Sequence, residues 1–300
     1  MVCQSITSVD LVLTWLAEKK PASVLQSLPK ALKQADWAKE LGCYAHILVG
    51  LQAATLCDWA KVRKCLELIE RAQPPTGFPD IMVLYLNGVL MQGTAQLLEA
   101  LEIWANPRFD IHKSGGPKTN TSHIEYELSI LAALNRLWIM HDPANRDEAA
   151  MADLVDQLRP LCEDNPDLEI KTAYNLVLAS IEFSPPRSIP LQQIKGHIQH
   201  ALSGAQATNN VHCLSMALNI MRLRLFENVV GEQAVKSAKA GSTQAKKSGN
   251  LLWMSVAEGM LSQSHEMRGA VAEARMAREA GVQLANDAYQ RSQIFRRTES

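Results

Sequence analysis

The sequence predicts an all-α protein assembled from antiparallel helix pairs, and three observations carry that prediction. Apolar residues recur at helical spacing along nearly the whole chain, with no convincing strand alternation. Leucine and alanine dominate the apolar set, while aromatics make up only 5% of the 300 residues. Unbranched side chains lose little rotamer freedom in a helix, so this mixture favours helices over sheets. Several segments also share one two-helix grammar at a spacing near 35 residues.

The spacing predicts helices near 8–18, 22–35, 38–56, 58–72, 79–91, 94–105, 122–140, 146–163, 168–183, 189–205, 210–227, 231–247, 250–264 and 267–296. Between them stand Pro21, Pro74-Pro75, Pro79, Pro107, Pro143, Pro166, Pro185-Pro186, Gly231 and Gly249. Proline lacks the amide donor and clashes with the preceding turn, so it ends a helix or opens one. Short gaps make successive helices antiparallel neighbours. The stretch 106–121 is rich in Gly, Lys and Thr without periodicity, and is expected to be an exposed loop. The chain therefore reads as one array over 1–300: first repeats in 1–105, the loop at 106–121, and later repeats in 122–300 closing on a long helix.

The pairing grammar is a long apolar helix, a short turn, then a second helix that opens with a small residue. Ala60 takes that place in CDWAKVRKCLELI, and Ala95 takes it 35 residues on in GTAQLLEALEIW. Ala234 and Ala270 stand 36 apart in GEQAVKSAKA and RGAVAEARMA. A period close to 34 is that of the tetratricopeptide (TPR) repeat, whose pairs stack into a right-handed superhelix. No repeat carries the full TPR consensus, so these are degenerate TPR-like hairpins, with HEAT-like pairs as the alternative.

Net charge is -1, so no bulk electrostatic affinity for nucleic acid is expected. The six cysteines, Cys3, Cys43, Cys57, Cys65, Cys162 and Cys213, include no CxxC pair and read as buried reduced thiols. Asp10 interrupts the first apolar run and no cationic segment precedes it, so the N-terminus is not a secretory signal. No segment has the roughly 18 uncharged apolar residues that would span a bilayer. A soluble intracellular protein is expected. Without a secretion route, the acceptor pattern Asn120-Thr121-Ser122 is a chance match.

Catalytic grammar is missing. There is no GxSxG, HExxH, GxGxxG or Walker A pattern. SGGPKT, Ser114–Thr119, has the composition of a phosphate loop but neither its spacing nor a preceding strand. His197 and His200 stand i, i+3 on one helix with nothing spaced to complete a metal set, and read as a surface pair. Cys57 and Cys65 read as core. Asp147-Glu148 at a helix start suits the helix dipole, and Glu163-Asp164 needs no acid–base role. No enzymatic activity, cofactor or metal is expected.

In a helical-repeat array the informative surface is the concave one, lined by first helices. Near 210–227, Leu214, Ala217, Met221 and Leu225 read as the core stripe, leaving His212, Ser215, Asn219 and Arg222 as a separate polar stripe. Near 122–140 the equivalent residues are Glu125, Ser129 and Arg136; near 168–183 they are Lys171, Asn175 and Glu182. Such side chains can pair with the backbone of an extended partner peptide. In 233–247, Ala234, Ala238, Gly241, Ser242 and Ala245 form a small face that presses on the preceding helix. Lys236, Lys239, Lys246 and Lys247 fall largely on the other side, solvated, as a secondary basic patch able to make a weak contact with DNA or an acidic receptor.

The run ALNIMRLRLFENVVGEQAVKSAKAGSTQAKKSGNLLWMSVAEGMLSQ, from Ala217 to Gln263, followed by RGAVAEARMAREAGVQLANDAYQ, from Arg268 to Gln290, resembles the C-terminal end of the TPR subunit of the cohesin loader. The order is a helical hairpin, a basic or polar second helix, a Leu-Trp helix at Leu251-Leu252-Trp253, and an Ala/Glu-rich helix through Ala270, Ala272, Glu273 and Ala274. Residues 1–200 agree with that family in architecture rather than in nameable motifs. The resemblance implies a non-enzymatic scaffold: a TPR superhelix wrapped around the extended N-terminal segment of the large HEAT-repeat loader subunit, the pair promoting loading of the cohesin ring onto chromosomes in the nucleus. Cohesin itself would be an indirect partner, and neither membrane nor small-molecule substrate is implied. Members of that family are about twice as long, so this chain would correspond to a C-terminal half. Two other classes are a TPR adaptor of another assembly, such as a proteasome-lid type, and an all-helical enzyme. The first would show a C-terminal winged-helix pattern and the second a DDxxD metal motif; neither is present.

Overall fold

The computed structural model describes residues 42–72, 80–94, 96–112, 120–141, 146–184, 187–226, 232–248 and 251–297. Among them are twelve helices and no strand. They are α1 (Cys43–Thr55), α2 (Trp59–Arg71), α3 (Asp80–Gly93), α4 (Leu97–Trp104), α5 (Asn120–Met140) and α6 (Glu148–Cys162). Then follow α7 (Leu168–Ser180), α8 (Leu191–Ala207), α9 (Val211–Phe226), α10 (Glu232–Ser248), α11 (Leu251–Glu266) and α12 (Val271–Arg297). Each matches a helix expected from the spacing, with ends shifted by a few residues. The first two expected helices, 8–18 and 22–35, lie outside the described residues.

Local chemistry explains several boundaries. Asp147 caps α6 by accepting from the amides of Ala149 and Ala150. Asp167 accepts from Ile170 N at the start of α7, and Asn210 from Cys213 N at the start of α9. Two helices end in the Schellman arrangement. After α8, Asn209 takes φ 52°, its amide bonds Gln206 O, and the Asn210 amide bonds Ala205 O. After α11, Gly269 takes φ 71°, its amide bonds Glu266 O, and the Ala270 amide bonds His265 O.

The chain forms two compact units. One contains residues up to Lys171 except Leu56–Asp58; the other contains those three residues and Thr172 onward. In the first, α1 packs on α2, α3 on α4 and α5 on α6, while α1 meets α3 and α3 meets α5. In the second, α8 to α12 pack in sequence and α9 meets α11. Both patterns put first helices side by side with second helices behind them. The amphipathic α2 shows why: Val62, Cys65, Leu66 and Ile69 are buried, while Lys61, Lys64, Glu67 and Glu70 face water.

Two of the four opening alanines do not mark close helix approaches. Ala60 is exposed, Ala270 is only half-buried in the turn before α12, and Ala95 and the Ala234 side chain lie outside the described set. Glycines in helix interiors make the contacts instead. Gly88 of α3 lies under the ring of Trp104 from α4, Gly93 under that of Trp59 from α2, and Gly204 of α8 against Thr172 of α7. A flat ring or a short hydroxyl side chain fits tightly only where the opposing residue has no Cβ.

The stretch after α4 is partly anchored. Phe109 is buried against Trp104, with ring centroids 5.8 Å apart. Arg108 pairs with Asp80 at 2.9 Å, and His112 Nε2 reaches Gln157 Oε1 at 3.1 Å. Arg108, Asp110 and His112 themselves are exposed. Residues 113–119, with all of SGGPKT, lie outside the described set.

Candidate partner-binding surface

The predicted polar stripe of α9 is not a surface stripe. Ser215 is 0% exposed and Asn219 4%, and the Arg222 side chain lies outside the described set. Of the residues assigned to the core on that helix, Ala217 is buried but Leu214, Met221 and Leu225 are half-exposed, joined by Val211 and Leu218 on the same face. Two members of the predicted stripe are thus buried more deeply than three of the residues assigned to the core. The cause is the partner helix. The described buried residues of α10 are Val235, Ala238, Gly241, Ser242 and Ala245. They bring its backbone close to α9 and leave room for Ser215 and Asn219 but not for leucines. The small face of α10 was legible in the sequence; its demand for small residues opposite was the unused signal.

His212 is half-buried, with its Nδ1 3.6 Å from Cys57 Sγ, and burial pushes its imidazole down to about 4. It is neutral at pH 7. A base whose folded pKa is depressed loses stability to the unfolded state as pH falls through the unfolded value. The chain is therefore expected to lose stability between about pH 6.5 and 4, by at most about 1.4 kcal/mol per pH unit from His212, levelling off below. His46, also lowered by burial, adds in the same sense. Urea midpoints at pH 7 and pH 5 should differ less in His212→Gln than in the unaltered chain.

The other predicted residues are scattered in character. Glu125 and Arg136 of α5 are half-buried, whereas Ser129 is buried and its Oγ donates to Glu125 O at 2.8 Å. On α7, Lys171 and Asn175 are half-buried and Glu182, just past the helix, is exposed and pairs with Arg224. Asn175 Oδ1 accepts from His197 Nδ1 at 2.8 Å. His197 is therefore engaged with α7 rather than paired with the exposed His200. Among the described residues no group of three metal-capable side chains converges. The described cysteines form no disulfide, and burial pushes Cys162 up to about 12, with Glu163 adding to it.

The basic patch is also altered. Lys236 and Lys239 are exposed as expected, and the Lys247 side chain lies outside the described set. Lys246 does not simply face water: its Nζ is 2.9 Å from Oε1 of Glu258 on α11, whose side chain is only 7% exposed. Ser242 Oγ donates to the same oxygen at 2.7 Å. Hydrogen bonds to a charged group contribute about 1.5–3 kcal/mol, less when one end is solvated. Lys246→Ala is expected to cost about 1–2 kcal/mol, and Lys239→Ala under about 0.5 kcal/mol. Urea denaturation of the two variants separates them.

Helices packed largely in sequence, with α1, α3 and α5 in contact in one unit and α9 and α11 in the other, define an all-α protein. A family model described as cohesin loading factor matches residues 9–272. The chain belongs to the cohesin loading factor family. The match reaches far in front of the C-terminal motifs that suggested it. No curated protein and no solved structure matches the chain. Membership gives the chain a part in cohesin loading, within the cohesin-loading machinery, and a chromosomal, nuclear function.

Proposed function

We propose that the chain is a non-enzymatic scaffold subunit, a TPR-like array that binds the N-terminal segment of the large HEAT-repeat subunit of the cohesin loader and so supports sister chromatid cohesion. The observation that carries this is the row of first helices in contact within each unit, α1 with α3 with α5 and α9 with α11, in a chain of this family. Adjacent first helices make a continuous surface able to follow an extended segment. In the first unit the half-buried Glu125, Arg136 and Lys171 offer polar contacts; in the second the half-buried Asn175 offers a polar contact and the aliphatic face of α9 offers apolar ones. Lys236 and Lys239 stand apart as a weak, salt-sensitive site for DNA or an acidic receptor. The test is co-expression of the full chain with that N-terminal segment, followed by size-exclusion chromatography. Co-elution as an equimolar complex that survives high salt is expected. Separate elution at every salt concentration overturns the reading.

A further inference from the structure

Ser215 Oγ and Asn219 Nδ2 are buried without any hydrogen-bond partner. A donor in that position forfeits its hydration and gains nothing in exchange. The two residues stand i, i+4, one above the other on the face of α9 turned to α10. A Cβ on Gly241 of α10 would meet Asn219 Oδ1 at 3.3 Å, so Asn219 lies directly under that helix. The described buried side chains of α10 are short. The bonds from Ser242 and Lys246 run to Glu258 of α11. Short buried side chains contribute little apolar burial each, which places such a helix toward the low-stability end of a fold.

We infer that the Ser215–Asn219 row is a concealed hydrogen-bonding site for the main chain of an extended peptide, uncovered when α10 lifts from α9. Four residues of α-helix rise about 6 Å. Groups on the same side of an extended chain recur at nearly that interval, two residues of about 3.3 Å each. The hydroxyl of Ser215 and the amide of Asn219 can therefore donate to two successive same-side carbonyls. Both groups are uncharged, so the ligand they select is peptide backbone rather than an acidic side chain or a phosphate. The inference rests on the partner reading above and adds where that partner's main chain is gripped and which helix must move.

The experiment uses the full chain and the N-terminal segment of the large loader subunit as probe. In the free chain, amide hydrogen exchange across α10 should be at least tenfold faster than across α9 and α11. Ser215→Ala/Asn219→Ala should melt at or above the temperature of the unaltered chain yet bind the segment at least tenfold more weakly. A variant that melts lower and binds as before, or exchange in α10 as slow as in α9, overturns the concealed site while leaving the partner reading intact. Failure of the unaltered chain to bind the segment overturns the partner reading, and the row's ligand with it.

Discussion

Gly88→Ala is expected to destabilise the first unit by about 3 kcal/mol, at the upper end of the usual cost of overpacking a tight core. A Cβ there would lie within 2.6 Å of Cζ2 and Cζ3 of Trp104. The ring has nowhere to go. Its Nε1 donates to Gln92 Oε1 at 3.0 Å, and Tyr85 and Phe109 flank it with centroids 5.5 and 5.8 Å away. Helix propensity alone would favour alanine by about 1 kcal/mol, so the sign of the change reports the ring contact. Gly259 of α11 is the control: nothing lies within 4 Å of its added Cβ. Gly259→Ala should stabilise by about 0.4–1 kcal/mol. Urea unfolding of the two variants decides the matter; a stabilised Gly88→Ala would mean that α3 and α4 do not meet through Trp104.

Gly204→Ala is expected to cost about 2–3 kcal/mol in the second unit. The new methyl would overlap Thr172 Oγ1 and lie 3.1 Å from Thr172 Cβ, an atom fixed to the α7 backbone. Both residues are buried, so neither side chain can swing into solvent. Thr172→Ala removes the hydroxyl that collides and should rescue part of the loss. The double variant should be more stable than the sum of the single changes implies, with a coupling of about 1 kcal/mol or more. Strict additivity would show that α7 and α8 do not approach at this pair.

The boundaries of the helices were legible because what makes them lies within a turn or two of chain. Leucine and alanine at helical spacing placed the helices and the intervening prolines and glycines bounded them; the caps the structure adds, Asp147 and Asp167 at N-termini and Asn209 and Gly269 at C-termini, act through backbone groups two to five residues away. The repeat pairing followed from short connections, and the family was legible from the order of segments in 217–290. What only the tertiary structure decided is which face of a helix goes inward. The arc of α9 containing Ser215 and Asn219 was taken for surface because polar side chains ordinarily stay in water. The small face of α10 reversed that for Ser215 and Asn219, since close backbone approach admits them, while Leu214, Met221 and Leu225 are only half-buried. Lys246 was read as solvated until Glu258, a buried carboxylate on α11, supplied its partner. The tight contacts fell at Gly88, Gly93 and Gly204 instead of Ala60 because Trp104, Trp59 and Thr172 come from other helices. Local hydrogen bonds and propensity specify where a helix runs; the shape of the helix packed against it specifies what that helix buries.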